Sequence, residues 1–104
     1  MLKRYELPQC PVEKALIMIG DRTKLLILRD LLKGTKRFGE LQKSMRVSQK
    51  VLTEHLRLME EHNLIDRTVY NEVPPRVEYT LTELGKSLRP IHDALLAWGE
   101  NYVQ

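Results

Sequence analysis

Residues Ser48–Asn63 read SQKVLTEHLRLMEEHN, and the fold turns on how that stretch is understood. Ser48 is a good helix N-cap, because its hydroxyl can accept a backbone N–H that the first helical turn leaves unpaired. A helix is therefore predicted from Gln49. At roughly 100° per residue, Val51, Leu52, Leu56, Leu58 and Met59 gather on one side, and Lys50, Thr53, Glu54, Arg57, Glu60 and Glu61 gather on the other. Any amphipathic helix has a solvated face, so the pattern alone also fits an ordinary surface helix. The polar face is graded, however, with Gln49, Lys50, Thr53 and Arg57 leading and the acidic pair Glu60 and Glu61 last. A helix that enters a major groove by its N-terminal end needs that order.

The flanks decide between the two. Upstream, Gly39 to Met45 predicts a helix of about two turns, and a tight turn through Arg46 and Val47 leads into the Ser48 helix. A short helix, a tight turn and a longer helix with a basic leading end form the helix-turn-helix pattern. Downstream the period changes to two: Ile65, Arg67 and Val69 alternate with Asp66, Thr68 and Tyr70, and Val77, Tyr79 and Leu81 with Arg76, Glu78 and Thr80. Two strands around the loop NEVPP make a β-hairpin whose tip Pro74 and Pro75 stiffen, since prolines cannot donate ladder hydrogen bonds. A hairpin directly after a recognition helix is a wing, and Arg67 and Arg76 on it could reach phosphates.

Further upstream, residues 1–9 read as a polar arm. Pro11 suits the first position of a helix to about Ile19, with Cys10 at its N-cap and Val12, Ala15, Leu16 and Ile19 as its apolar stripe. Gly20 is expected as a left-handed C-cap. Asp21 caps a second helix from Arg22 to about Lys33, so apolar at Leu25, Leu26, Ile27, Leu28, Leu31 and Leu32 that it belongs at the domain centre. Gly34 closes it, and Lys36, Arg37 and Phe38 are extended. The last helix begins with a Thr80–Glu83 capping box or with Thr82 alone as cap. Leu81, Leu84, Leu88, Ile91, Leu95, Trp98 and Tyr102 then recur at alternating spacings of three and four, a heptad seam. Pro90 should kink this helix without ending it. So long a stripe, flanked by Ala94, Leu96 and Ala97, exceeds what a small core can cover, which predicts pairing with a second copy.

At 104 residues, with 42% hydrophobic and 30% charged, one domain of ordinary globular composition is expected. A net charge of +3 permits nucleic-acid binding without proving it. No long apolar run and no signal-peptide core occur, so the expected location is cytoplasmic. The single cysteine, Cys10, excludes an intrachain disulfide. His55 and His62, near the apolar side of their helix, and His92 lack the company of a zinc site and are read as packing residues; no metal and no cofactor is expected. No nucleophile with a positioned base, no carboxylate pair at a cleft and no Gly-rich phosphate loop appears, which argues against an enzyme.

The segments CPVEKAL, GDRTKLLILRDLLKGTKRFGEL, SQKVLTEHLRLME, NEVPPRVEYTLTELGKSL and AWGENY together resemble the HxlR-type regulators, a branch of winged helix-turn-helix transcription factors related to the MarR group. The resemblance spans about residues 10–102. It implies a homodimer, made by the N- and C-terminal helices, that binds pseudopalindromic operator DNA and regulates transcription. Several members sense oxidants or electrophiles through a cysteine at the position of Cys10, whereas others do not. Two departures stand out: Thr23 replaces the usual tryptophan, and the turn at Ser44–Val47 is one residue short and lacks the common proline, which bears on the tilt of the recognition helix.

Residues and resemblance together define the expectation. The fold class is mainly α with a small β-hairpin wing (α+β), a single domain over 1–104: an N-terminal helix at about 10–20, a winged DNA-binding core at 21–81 and a C-terminal dimerisation helix at 82–103. Gln49, Lys50, Thr53 and Glu54 are placed for base edges, Arg57, Lys43, Arg67 and Arg76 for phosphates, with Ser48 capping the helix. Val12, Leu16, Leu88, Ile91, Leu95, Trp98 and Tyr102 are assigned to the dimer interface. For Cys10, a helix N-terminus favours the reactive thiolate, while Glu13 and Glu6 oppose it, so a sensor and a partly buried residue without redox role both stand. Alternatives to the regulator with a thiol switch are a winged protein-interaction module and a regulator answering a small apolar ligand held near Ile19, Leu95 and Trp98.

Overall fold

The structure is a computed structural model and describes residues 7–103. Most of the N-terminal arm, together with Glu6, lies outside the described residues. The elements run α1 (Pro11–Ile19), α2 (Arg22–Leu31), β1 (Lys36–Arg37), α3 (Phe38–Met45), α4 (Gln49–Glu61), β2 (Ile65–Tyr70), β3 (Arg76–Leu81), α5 (Glu83–Lys86) and α6 (Arg89–Tyr102). This is the expected α+β winged helix-turn-helix arrangement, with the short extended piece Lys36–Arg37 completing a three-stranded antiparallel sheet in the order β1-β3-β2. The wing register pairs Ile65 with Leu81, Arg67 with Tyr79 and Tyr70 with Arg76.

The core forms where the apolar faces of α2, α3 and α4 meet the base of the wing: Ile27, Leu28, Leu31, Leu41, Met45, Leu52, Leu56, Met59, Leu64, Ile65, Tyr79 and Leu81 are all buried. Burying such side chains is worth about 1.5–3 kcal/mol each, which locks α4 by its Leu52, Leu56 and Met59 edge and leaves its opposite edge in solvent. The second helix is as central as its composition predicts, yet it also buries Thr23, Lys24 and Asp30. Thr23 is buried in the first turn of α2, its N–H donating to the Asp21 cap at 2.8 Å.

Three details correct the sequence expectation. Gly20 has φ −76°, so it is no left-handed cap; a Cβ there would overlap the Leu16 carbonyl oxygen, and close approach is the reason for glycine. Left-handed backbone occurs instead at Arg46 (φ 54°), which ends α3 and makes the helix-turn-helix turn, and at Asn63 (φ 61°), just after α4. The terminal helix is two helices. Thr82 caps α5 alone, accepting from the Gly85 N–H at 3.0 Å. The chain turns at Ser87 and Leu88, and α6 starts afresh with Pro90 in its first turn, where a missing N–H costs nothing.

α6 contains no buried residue over its 14 positions. A lone amphipathic helix of that length is marginal in water. Its Ile91, Leu95, Leu96, Trp98 and Tyr102, with Val12 and Leu16 of α1, are exposed large apolar side chains.

Candidate nucleic-acid interface

The leading end of α4 is built by its cap: the Val51 N–H donates to Ser48 Oγ at 3.1 Å, and Ser48, Gln49 and Lys50 are exposed. Gln49, Lys50, Thr53, Glu54 and Arg57 are all exposed and line one shallow groove along the helix. Below them, α4 and the wing enclose an open cleft of ≈ 500 Å³. Gln49, Thr53, Arg57 and Glu60 face it from the helix, Arg67 faces it from β2, and Phe38, Leu56, Val77 and Tyr79 form its apolar floor. The sheet register explains why Arg67 arrives there: it opposes Tyr79, whose ring is buried in the core, so β2 is anchored at that level. Lys43 is exposed in the last turn of α3. Lys43, Lys50, Arg57 and Arg67 form no side-chain hydrogen bond or ion pair among the described residues, so their charges are available to an anionic partner.

Arg76 is different. It sits at the wing tip with Nε 3.3 Å from Glu72 and a terminal nitrogen 3.7 Å from Glu78, and its guanidinium lies 4.1 Å from the centre of the Tyr70 ring. Two carboxylates and one aromatic face hold it within the wing. Val73, at the same tip, is fully exposed. A second concave surface, which sequence reading missed, joins this tip to the start of α3 through Arg37, Phe38 and Gly39. Its only sequence signal is the basic pair Lys36 and Arg37 before a helix start.

Opposite the cleft, His55 is more than a packing residue: Nδ1 lies 2.8 Å from the Val51 carbonyl oxygen and Nε2 3.1 Å from Asp21 Oδ1. Burial pushes the Asp21 carboxyl up, but the Thr23 N–H, the His55 charge and the Lys24 N–H together hold it below the ordinary carboxylate value. His62 is fully buried, and His92 pairs with Asp93. Among the described residues no group of three or more His, Cys, Asp or Glu could hold a metal, and no helix is long and apolar enough to cross a membrane.

The dimer candidates divide. Val12 and Leu16 on α1 and Ile91, Leu95, Trp98 and Tyr102 on α6 are exposed, the last two with ring centroids 5.9 Å apart. Leu88 is half-buried against the protomer's own core. Cys10 is exposed at the N-cap of α1, where its side chain caps nothing. Ile19, read as lining a ligand gap with Leu95 and Trp98, is instead buried in the core.

The comparisons agree with this architecture. The HxlR-like helix-turn-helix family model matches residues 18–104. A Bacillus subtilis (strain 168) protein described as the uncharacterized HTH-type transcriptional regulator YtcD is 46% identical over 102 residues, covering 97% of this chain and 79% of its own. The crystal structure of a putative HTH-type transcriptional regulator ytcD superposes with TM-score 0.87 at 47% identity, over 91% of this chain and 98% of that one. The redox regulator HypR in its oxidized form superposes with TM-score 0.86 at 40% identity, over 91% and 99%. On its sequence, its wing and its helix-turn-helix geometry, this chain belongs to the HxlR-like helix-turn-helix family of transcriptional regulators.

Proposed function

We propose that the protein is a sequence-specific double-stranded-DNA-binding regulator that acts as a homodimer on pseudopalindromic operators in the cytoplasm. The observation that carries this reading is the cleft between α4 and the wing, where unpaired Arg57 and Arg67 flank the exposed Gln49 and Thr53. Gln49, Lys50, Thr53 and Glu54 read base edges in the major groove, and Arg57, Lys43 and Arg67 grip phosphates. Ser48 fixes the leading turn. Arg76, braced by Glu72, Glu78 and Tyr70, gives the wing tip its shape, and its charge is offset by the two carboxylates, so direct phosphate contact from the wing rests chiefly on Arg67. Two copies joined through Val12, Leu16, Ile91, Leu95, Trp98 and Tyr102, with Leu88 at the edge, would set two α4 helices about 34 Å apart, one DNA turn. The uncovered face of α6 supports that pairing. Selection of bound duplexes from a randomised pool tests the whole reading: an enriched inverted repeat is expected, and no enrichment over the starting pool would reject it.

A thiol response is the second reading, favoured by the exposure of Cys10 on the helix assigned to dimerisation and by the likeness to HypR. With a single cysteine per chain, oxidation by a disulfide reagent would join Cys10 to its counterpart or to a small thiol, and a quinone would alkylate the sulfur. Cys10→Ser should bind the selected duplex as wild type does and lose any response to diamide or quinone. A variant that still responds would remove Cys10 from the mechanism.

A further inference from the structure

The recognition helix is tethered to the N-cap of α2 by one imidazole. His55 Nδ1 meets the Val51 carbonyl oxygen at 2.8 Å and Nε2 meets Asp21 Oδ1 at 3.1 Å. A carbonyl and a carboxylate only accept hydrogen bonds, so the ring makes both contacts at once only when both nitrogens carry hydrogen, as the imidazolium. The same Asp21 Oδ1 takes the Thr23 N–H at 2.8 Å and the Lys24 N–H at 3.4 Å. One oxygen therefore both starts α2 and holds α4. From the same turn the buried Lys24 reaches back, Nζ donating to the Ile17 carbonyl oxygen of α1 at 2.9 Å. Ile17, Lys24, Asp21 and His55 thus form a polar chain from α1, across the first turn of α2, to the middle of α4.

We propose that His55 is a positioning residue, which through Asp21 ties the tilt of the DNA-reading helix to the α1–α2 junction. The inference rests on the DNA-binding reading and adds a specific coupling to it. Thr53 and Arg57 lie two residues to either side of the ring on α4, facing the cleft, so a rotation about this tether moves both reading residues. The tether joins α4 to the N-terminal helix that carries Val12 and Leu16, the exposed apolar pair of α1. Movement of α1 at a subunit interface would therefore reach the reading face through hydrogen bonds as well as through packing. The charged groups that meet there are Asp21, touching the ring, and Lys24, which acts on Asp21; Arg22 and Glu54, their neighbours in sequence, are exposed. α1 contributes a main-chain carbonyl there.

The test uses wild type, His55→Gln, Asp21→Asn and the double variant, each bound to the duplex that wild type selects from a randomised pool at one fixed pH and ionic strength, with urea midpoints measured alongside. Asparagine keeps an oxygen for the α2 cap, so Asp21→Asn preserves the helix start if His55→Gln folds poorly. Each single variant is expected to weaken duplex affinity by roughly two- to fivefold, the size of a partly exposed ion pair, and the double variant should add nothing to either single one. A role confined to stability would lower urea midpoints while leaving the affinity of the folded variants at the wild-type value, and that result overturns the inference. So would single-variant effects that multiply in the double variant. Failure of wild type to select any duplex would overturn the DNA-binding reading and this inference together, whereas normal selection with wild-type affinity in His55→Gln overturns the inference alone.

Discussion

Gly85→Ala probes the joint on which the wing is mounted. Gly85 is buried in α5, and a Cβ added there would overlap the Leu64 carbonyl oxygen and come to 3.0 Å from Leu81 Cδ2. That carbonyl leads into β2 and accepts the Thr82 N–H at 3.0 Å, so it cannot retreat without loosening the link between the exit of α4 and the end of β3. Overpacking costs about 1–3 kcal/mol, and a weakened backbone hydrogen bond adds about 0.5–1.5 kcal/mol. The opposing gain from replacing a helical glycine is at most about 1 kcal/mol, so the clash decides the sign. A net loss of about 2 kcal/mol should lower the urea midpoint by about 1 M, for a slope of roughly 2 kcal/mol per molar urea. Far-UV circular dichroism at one fixed protein concentration measures this, since dimer formation makes stability concentration-dependent. Gly99→Ala is the control: nothing lies within 4 Å of its added Cβ, so within a protomer it should be neutral or gain up to about 1 kcal/mol. A Gly85→Ala midpoint equal to or above wild type would refute the close-approach account of the wing joint.

Other outcomes follow from the same geometry. Ser48→Ala removes the oxygen that accepts the Val51 N–H and should cost about 1 kcal/mol, read as a lower urea midpoint together with weaker duplex binding, because the frayed turn carries Gln49 and Lys50. Asp21 is held below its ordinary pKa, so its stabilising contribution is complete above the unfolded value near 3.8 and is lost as pH falls through the lower folded value. Urea midpoints at pH 6 and pH 3 should therefore fall less for Asp21→Asn than for wild type. Leu95→Glu places a charge on the exposed apolar face of α6 and should shift sedimentation from dimer to monomer at micromolar concentration while leaving the protomer folded. An unchanged dimer would move the interface elsewhere.

What could be read from the sequence was local or periodic. Ser48 as cap, Gln49 as helix start and the two strands of the wing are all as expected, because a cap and a two-residue period are short-range signals. The arrest of the last helix at Lys86 escaped notice because the apolar spacing runs through Pro90 in phase. The side chains at Ile91 and beyond keep that spacing in α6, but Leu81 belongs to β3 and Leu88 to the core. Gly20 reads as a left-handed cap because a glycine after a helix commonly is one, whereas its reason here is close approach to the Leu16 carbonyl oxygen one turn back in α1. Lys24 looks like a wet position on an apolar helix, yet it is buried because its amine finds a carbonyl of α1. Asp21 as the partner of His55 lies too far away in sequence to be inferred from spacing. The brace on Arg76 was within reach: Glu72 lies four residues before it and Glu78 two residues after it on the same face of the strand.

The claim that α4 and the wing grip DNA is tested most directly by duplex affinity against salt concentration. With Lys43, Arg57 and Arg67 of both protomers on phosphates, log affinity should fall with log salt at a slope on the order of −5, and Arg67→Ala should make it shallower by roughly 2. Binding that is undetectable at low salt, or an affinity that does not change as salt rises, would contradict the account.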